Sequence, residues 1–137
     1  MTIRLAQKDY ETMLREARVK APQEACGLLA GTDENGVRII RKIYVLENVE
    51  HSAQHFSLRP EDQLAAIRDM RQNGLKPLGN WHSHPATPSR PSEEDIRLAF
   101  DKTATYCILS LAEEPPVLNA FHIESGTVRK ENIIIQE

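Results

Sequence analysis

Prolines fall at every third position over Pro85, Pro88 and Pro91, and they divide the chain into what can precede them and what can follow. Proline fixes φ and has no backbone N–H, so neither a helix nor a sheet ladder runs through "HPATPSRPS". The element holding "PLGNWHSH" (77–84) must therefore end at His84, and a new one begins near Ser92. Read as a strand, "PLGNWHSH" sends alternate side chains to opposite faces. His82 and His84 then project one way, and Trp81 and Ser83 the other, where Trp81 can pack. After the prolines, "SEEDIRLAFD" predicts a helix over about 93–102, with acids in its first turn as the helix dipole favours.

The remaining elements follow from periodicity and turn chemistry. Tyr10, Met13, Leu14 and Ala17 keep the spacing of one buried helical face, which predicts a helix over 8–20 ended by Pro22. "ACGLLAG" (25–31) reads as a buried strand, "TDENG" as a turn, and "VRIIRKIYVLENV" (37–49) as a strand pairing with the one before it. "QHFSL" (54–58) reads as a further short strand. Pro60 opens a second helix whose apolar face holds Leu64, Ile67 and Met70 and whose end is capped by Gly74. "TYCILSL" (105–111) predicts a central strand, and "VLNAFHI" (117–123) with "VRKENIIIQ" (128–136) a closing hairpin. Strands and helices do not alternate regularly, which points to an α+β fold in a single domain spanning 1–137.

Composition narrows the function. With 40% apolar and 27% charged residues, the chain can bury a core without disulfide staples. A net charge of −3, with its 17 basic residues scattered, gives no electrostatic footprint for nucleic acid. No basic start followed by an apolar run marks a signal peptide, and no stretch nears the ~20 apolar residues that span a bilayer. Two cysteines, Cys26 and Cys107, make no disulfide framework. A cytoplasmic protein is the expectation, with no membrane partner.

On a strand, His82 and His84 have Cα atoms about 7 Å apart and side chains on one face, a separation from which two imidazoles can converge on one ion. Asp95, eleven positions after His84, lies in the first turn of the next helix. Two histidines and a carboxylate around zinc would leave one tetrahedral position open, as in catalytic rather than structural sites. Glu24 sits between the helix-ending Pro22 and the buried strand, at the edge of the core rather than on a solvated face. A carboxylate there needs a reason.

Glu24, "HSHP" at 82–85, Ser92 and Asp95 together resemble the JAMM motif of the MPN-domain metalloproteases: a distant Glu, His-x-His-Pro, a short loop, and Ser-x-x-Asp. "PQEACGLLAG" resembles that family's first strand, and the resemblance covers essentially the whole chain. It implies the MPN fold, of the cytidine-deaminase-like kind, with a curved, mostly antiparallel sheet wrapped around a helix and flanked by others. It implies one zinc per chain on His82, His84 and Asp95, with Glu24 as general acid/base and Ser92 as the hydroxyl beside the oxyanion. The implied activity is hydrolysis of a peptide or isopeptide bond. The chain is similar to the compact prokaryotic members, some of which process sulfur-carrier proteins. That makes a ubiquitin-like or sulfur-carrier protein ending in Gly-Gly the expected partner.

Plainer readings stand beside these. Ser92 and Asp95 also fit a helix N-cap and its third residue. His82 and His84 alone could be ordinary strand residues, and Glu24 could simply pair with a base. His51 and His55 read as surface or groove residues, His122 as locally satisfied, and Cys26 and Cys107 as small buried side chains. Two other functions remain open: a non-catalytic MPN scaffold, and a zinc hydrolase of a small amide. The deaminase signature P-C-x-x-C is absent.

Overall fold

The computed structural model describes residues 1–137. Asn35 and Gly36 both take positive φ (52° and 77°), which is what a two-residue type I′ hairpin requires. They join β2 (Cys26–Glu34) to β3 (Val37–Leu46) with Glu34 opposite Val37. Ser125 and Gly126 repeat the device, with φ of 49° and 80°, between β6 (Val117–Glu124) and β7 (Thr127–Gln136). The other elements are β1 (Thr2–Ala6), α1 (Gln7–Lys20), α2 (Pro60–Gln72), β4 (Lys76–His84), α3 (Glu93–Arg97) and β5 (Thr105–Ser110).

The strands run in the order β1-β3-β2-β4-β5-β6-β7, and β7 pairs back onto β1 to close a barrel. The fold is α+β. Four of the seven ladders are antiparallel (β2–β3, β2–β4, β5–β6, β6–β7), so the sheet is curved and mostly antiparallel as expected. Closure comes from β1, which pairs in parallel with both β3 and β7. Sequence reading left this strand out, because a five-residue terminal segment acquires its partners only in the fold. No helix is long and apolar enough to cross a membrane.

Helix α1 packs against the inner face. Its Met13 and Ala17 join Ile3 and Leu5 of β1, Leu29 of β2, Ile40 of β3, Trp81 of β4 and Leu109 of β5 in one fully buried cluster. Helices α2 and α3 cover parts of the outer face. Ala66 and Met70 of α2 pack on Ala30, while Ile96 and Ala99 pack on Ile108, Phe121 and Ile123.

In β4 the register against β2 slips at Leu78: Gly79 lies opposite Leu29 and Pro77 opposite Ala30. This bulge lets Leu78 and Trp81 both point inward, although they are an odd number apart, and it sets the alternation of everything after it. Trp81 and Ser83 are fully buried, while Asn80, His82 and His84 lie on the other face, towards α2 and α3.

Two expected elements differ. Residues 54–58 form no strand; the span from 47 to 59 is irregular, held by side chains described below. The helix expected over about 93–102 ends at Arg97. There Asp101 competes with it, since Oδ1 accepts from both the amide (2.9 Å) and the hydroxyl (2.6 Å) of Thr103 and turns the chain into β5.

Gly27 is a position where the sheet tolerates nothing larger. An added Cβ would collide with the Tyr44 carbonyl, the same oxygen that accepts the Trp81 indole N–H at 3.0 Å. Gly27→Ala is expected to lose about 3 kcal/mol or more of stability, read as a fall in the urea midpoint.

Candidate metal centre

His82 and His84 end β4, and their rings converge. Their Nε2 atoms are 3.1 Å apart, and Asp95 Oδ2 lies 3.3 Å from the first and 3.2 Å from the second. Tetrahedral zinc with bonds of about 2.0–2.1 Å separates its ligand atoms by about 3.3 Å. The three donors therefore already form one face of such a tetrahedron. Two imidazoles and a carboxylate are a donor set that suits zinc, so the residues fit a metal ion.

Each of these three side chains is oriented by something other than its two partners. His84 Nδ1 lies 2.9 Å from the Pro88 carbonyl. That oxygen only accepts, so Nδ1 carries a proton, and with a metal ion bound the Nε2 lone pair would face the centre. The His82 ring is stacked on Phe56, with centroids 4.6 Å apart and planes 25° apart. Its Nδ1 is shielded and has no partner. Asp95 is the third residue of α3 in a capping box with Ser92: the Asp95 amide donates to Ser92 Oγ (3.0 Å), and the Ser92 amide donates to Asp95 Oδ2 (2.9 Å). The N-cap reading of this pair is thus true as well, and the cap aims the carboxylate at the histidines.

The electrostatics follow from burial and these contacts. Burial opposes a charged Asp95, but hydrogen bonds to His82 and His84 outweigh it and hold the carboxyl well below its usual range. Burial dominates at His82 and lowers its pKa, despite the carboxylate beside it. At His84 burial also pulls down, but the hydrogen bonds to Asp95 and the Pro88 carbonyl win and raise it.

Glu24 comes to this centre through the β2–β4 ladder. Cys26 pairs with His82, and beyond it Ala25 N–H donates to Ser83 Oγ (2.8 Å) while Ser83 N–H donates to Ala25 O (2.9 Å). Glu24, the next residue back, lies close enough to His84, Asp95 and Glu94 for their charges to act on it. Glu24 is 4% exposed, and its Oε1 has no hydrogen-bond partner. Burial raises its pKa from 4.5 to about 8; the charge on His84 opposes the shift, and those on Asp95 and Glu94 add to it.

Sequence reasoning missed what holds Glu24 in place. The Glu24 amide donates to the Ser52 carbonyl at 2.7 Å. The buried Asn48 side chain donates to the carbonyls of Glu24 (3.2 Å) and His55 (2.9 Å) and accepts from the amides of Glu50 (3.1 Å) and Ser57 (3.2 Å). All four hydrogen bonds of one amide tie the 47–59 segment to the acid's backbone and carry Phe56 over His82. An asparagine after a β-branched run reads only as a turn residue, so spacing offers no signal for this role.

The remaining candidates take the plainer readings. His51 is exposed at the rim of a cavity beside Glu24, and His55 is exposed and paired with Glu94 at 2.7 Å. His122 Nε2 donates to the Lys102 carbonyl at 2.7 Å. Cys107 is core. Cys26 is fully buried with its thiol on the Leu46 carbonyl (3.6 Å), and burial pushes its pKa up to about 12, so it is no nucleophile.

Because Glu24 titrates near 8 when folded and 4.5 is its ordinary value, the folded metal-free protein keeps a proton that the unfolded chain loses between those pH values. Stability therefore falls as pH rises through that window, and the cost is complete above it. Glu24→Gln removes the ionisation. In thermal melts of metal-free protein the variant is expected to match wild type at pH 5. At pH 9 it should be more stable by up to ~4 kcal/mol, on the order of ten degrees in Tm.

The comparisons with known proteins agree with this geometry. Residues 6–124 match the family described as prokaryotic homologs of the JAB domain. The "CysO-cysteine peptidase" of Mycobacterium tuberculosis is 34% identical over 126 residues, 91% of this chain and 85% of that protein. The "Probable TtuB-protein conjugate cleaving protease" of Thermus thermophilus is 35% identical over 92 residues, 64% of this chain and 59% of that protein. A solution structure from Desulfitobacterium hafniense superposes with a TM-score of 0.91 at 50% identity, covering 98% of this chain and 93% of that one. A JAB1/MPN domain protein from Archaeoglobus fulgidus shares the fold, with a TM-score of 0.59 at 24% identity over 98% of this chain and 99% of that one. With the family matched across nearly its whole length and the fold shared, this chain belongs to the prokaryotic JAB/MPN-domain family.

Proposed function

We propose that the chain, acting as a single domain, is a zinc-dependent peptidase. In this reading it cleaves the peptide or isopeptide bond that follows the Gly-Gly tail of a ubiquitin-like or sulfur-carrier protein. The observation that carries the proposal is the 3.1–3.3 Å triangle of His82, His84 and Asp95, with the buried, unpartnered Glu24 alongside it. The relatives named peptidase and conjugate-cleaving protease support hydrolysis, and their names point to small carrier proteins as substrates. Cys26 and Cys107 are free thiols, which fits a reducing, cytoplasmic setting.

His82, His84 and Asp95 would hold the ion, with Pro88, Phe56 and the Ser92 amide fixing their orientations. When bound, zinc supplies Lewis acidity, which acidifies water and polarises a carbonyl. Glu24 takes the proton of the attacking water and returns it to the departing amine, which would otherwise leave as an anion. A carboxyl at about 8 in the metal-free protein is drawn down by a nearby cation towards neutral pH, where a group can do both tasks. Ser92 Oγ accepts from the Asp95 amide, which leaves its own proton free to donate to the oxyanion that develops on the carbonyl.

Three outcomes are expected. Metal analysis should find about one zinc per chain, lost in His82→Ala. Glu24→Gln should keep the metal but lower kcat on a carrier-tail conjugate by about 10³-fold or more. Ser92→Ala should lower kcat by about 10²–10³-fold; its stability should fall by only the ~1 kcal/mol of a lost N-cap, a few degrees in Tm. A Glu24→Gln protein that binds metal and turns over normally would sink the mechanism.

A further inference from the structure

Asn80 lies two residues before His82 on β4, on the same face of the strand. It lines a cleft of about 380 Å³ that also takes in His82 and Asp95. The apolar lining comes from Phe56 and Leu58 in the irregular segment, Leu98 and Phe100 after α3, and Tyr106 on β5. At this cleft Phe100 is 86% exposed and Leu98 is 50% exposed.

The Asn80 carboxamide has no internal explanation. Its Oδ1 is shielded from solvent and receives no hydrogen bond. Its cross-strand neighbours are Leu28 and Tyr106, and the Tyr106 hydroxyl is committed to the Asp101 carbonyl at 3.2 Å. The Gln63 amide, also in the cleft, donates to the Leu58 carbonyl at 3.3 Å. Whichever of the Asn80 termini carries oxygen, one end is shielded and unmatched. A primary amide in that state is a cost to the free protein. Asn80 is only half-buried and lines the cleft, so turning about χ2 brings the unmatched end to where a ligand's backbone can meet it.

Glu24 decides the direction in which a substrate lies. It must hand a proton to the departing amine, and it lines a different cavity, shared with Gln23, Asn48 and His51. The leaving group therefore lies on the Glu24 side and the acyl chain on the Asn80 side. From these observations we infer that Asn80 is a substrate-binding residue that hydrogen-bonds a peptide group of an extended acyl tail in this cleft, with Leu98 and Phe100 receiving an apolar side chain farther up. The inference rests on the hydrolase reading above. Two strand residues span about 7 Å, so the peptide group met by Asn80 is about two residues upstream of the scissile carbonyl. A carboxamide offers one acceptor and two donors, which match the N–H and C=O of an extended chain without reading its side chain. Glycines near the bond are thus accepted, and selectivity moves to the apolar residue beyond them.

The test uses zinc-loaded protein and a hexapeptide ending in Gly-Gly, with leucine fourth from the end, amide-linked to a fluorogenic amine. A second peptide is N-methylated at the peptide group two residues upstream of the bond. Asn80→Leu and Asn80→Ala are expected to lower kcat/KM by about tenfold, mostly through KM, with zinc content unchanged. Wild type should lose a similar factor on the N-methylated peptide, and the variants little more. Free Asn80→Leu should melt no lower than wild type, because a shielded, unmatched amide has gone. The inference is overturned if the variants bind and cleave both peptides as wild type does, or if Asn80→Leu melts well below wild type while Asn80→Ala keeps normal KM. It also falls if the protein is a dimer in sedimentation that Phe100→Ser dissolves, since the occupant is then a second copy. If wild type cleaves neither peptide but Glu24→Gln protein binds them in an Asn80-dependent way, the cleft stands and the hydrolase reading fails. If nothing binds, both fail.

Discussion

Ser83 and Ala25 exchange two hydrogen bonds, one through the serine hydroxyl (2.8 Å) and one through its amide (2.9 Å). Ser83 is fully buried on the inner side of β4, so its neighbours His82 and His84 have to face outward. The same pair locks the end of β2 against the end of β4, and the residue just before Ala25 is Glu24. One small inward-facing residue thus sets both the direction of the two imidazoles and the place of the acid. The bulge at Leu78 belongs to the same constraint: without its extra residue, Trp81 and Leu78 could not share the core, and the histidines would point inward.

Around that ladder the site is completed by chain that has no regular structure. The segment from 47 to 59 would be free to move if nothing anchored it, yet the Asn48 amide meets four backbone groups in it and in Glu24. A buried network with every member satisfied specifies one conformation. Here it fixes the backbone of Glu24 and sets Phe56 on the His82 ring. On the opposite side the capping box of α3 does two jobs with one carboxylate, closing a helix start and completing the donor triangle.

Three of the four shielded, unmatched side-chain atoms of the chain gather beside the outer face of β4; the fourth, Asp9 Oδ2, is on α1. Glu24 Oε1, Asn80 Oδ1 and His82 Nδ1 are all shielded and unmatched, and they lie within a few residues of one another along two paired strands. Each is unfavourable in the free protein. Such concentrations of locally unfavourable groups are what a binding or catalytic site leaves in an otherwise consistent fold. The barrel can sustain them because its core, with Ile3, Leu5, Met13, Leu29, Trp81 and Leu109 nearly or wholly buried, lies on the other side of the sheet.

Much of this was readable from local chemistry. The i, i+2 spacing of His82 and His84 put them on one face, Pro85 ended their strand, and Ser92 with Asp95 marked a helix start whose acid faces back. Asn35–Gly36 and Ser125–Gly126 announced the two hairpins, and the spacing of Tyr10, Met13 and Ala17 announced α1. These features depend on residues a few positions apart, whose geometry the backbone sets by itself. What lay beyond reach depends on partners distant in sequence. Strand β1 exists only because β3 and β7 flank it, and α3 stops early because Asp101 turns the chain. Asn48 looks like any turn residue until four backbone groups gather round it. That Glu24 meets the histidines was implied by resemblance alone; in the fold the residue two after it, Cys26, pairs with His82. Register is a property of two segments together, and neither segment carries it alone.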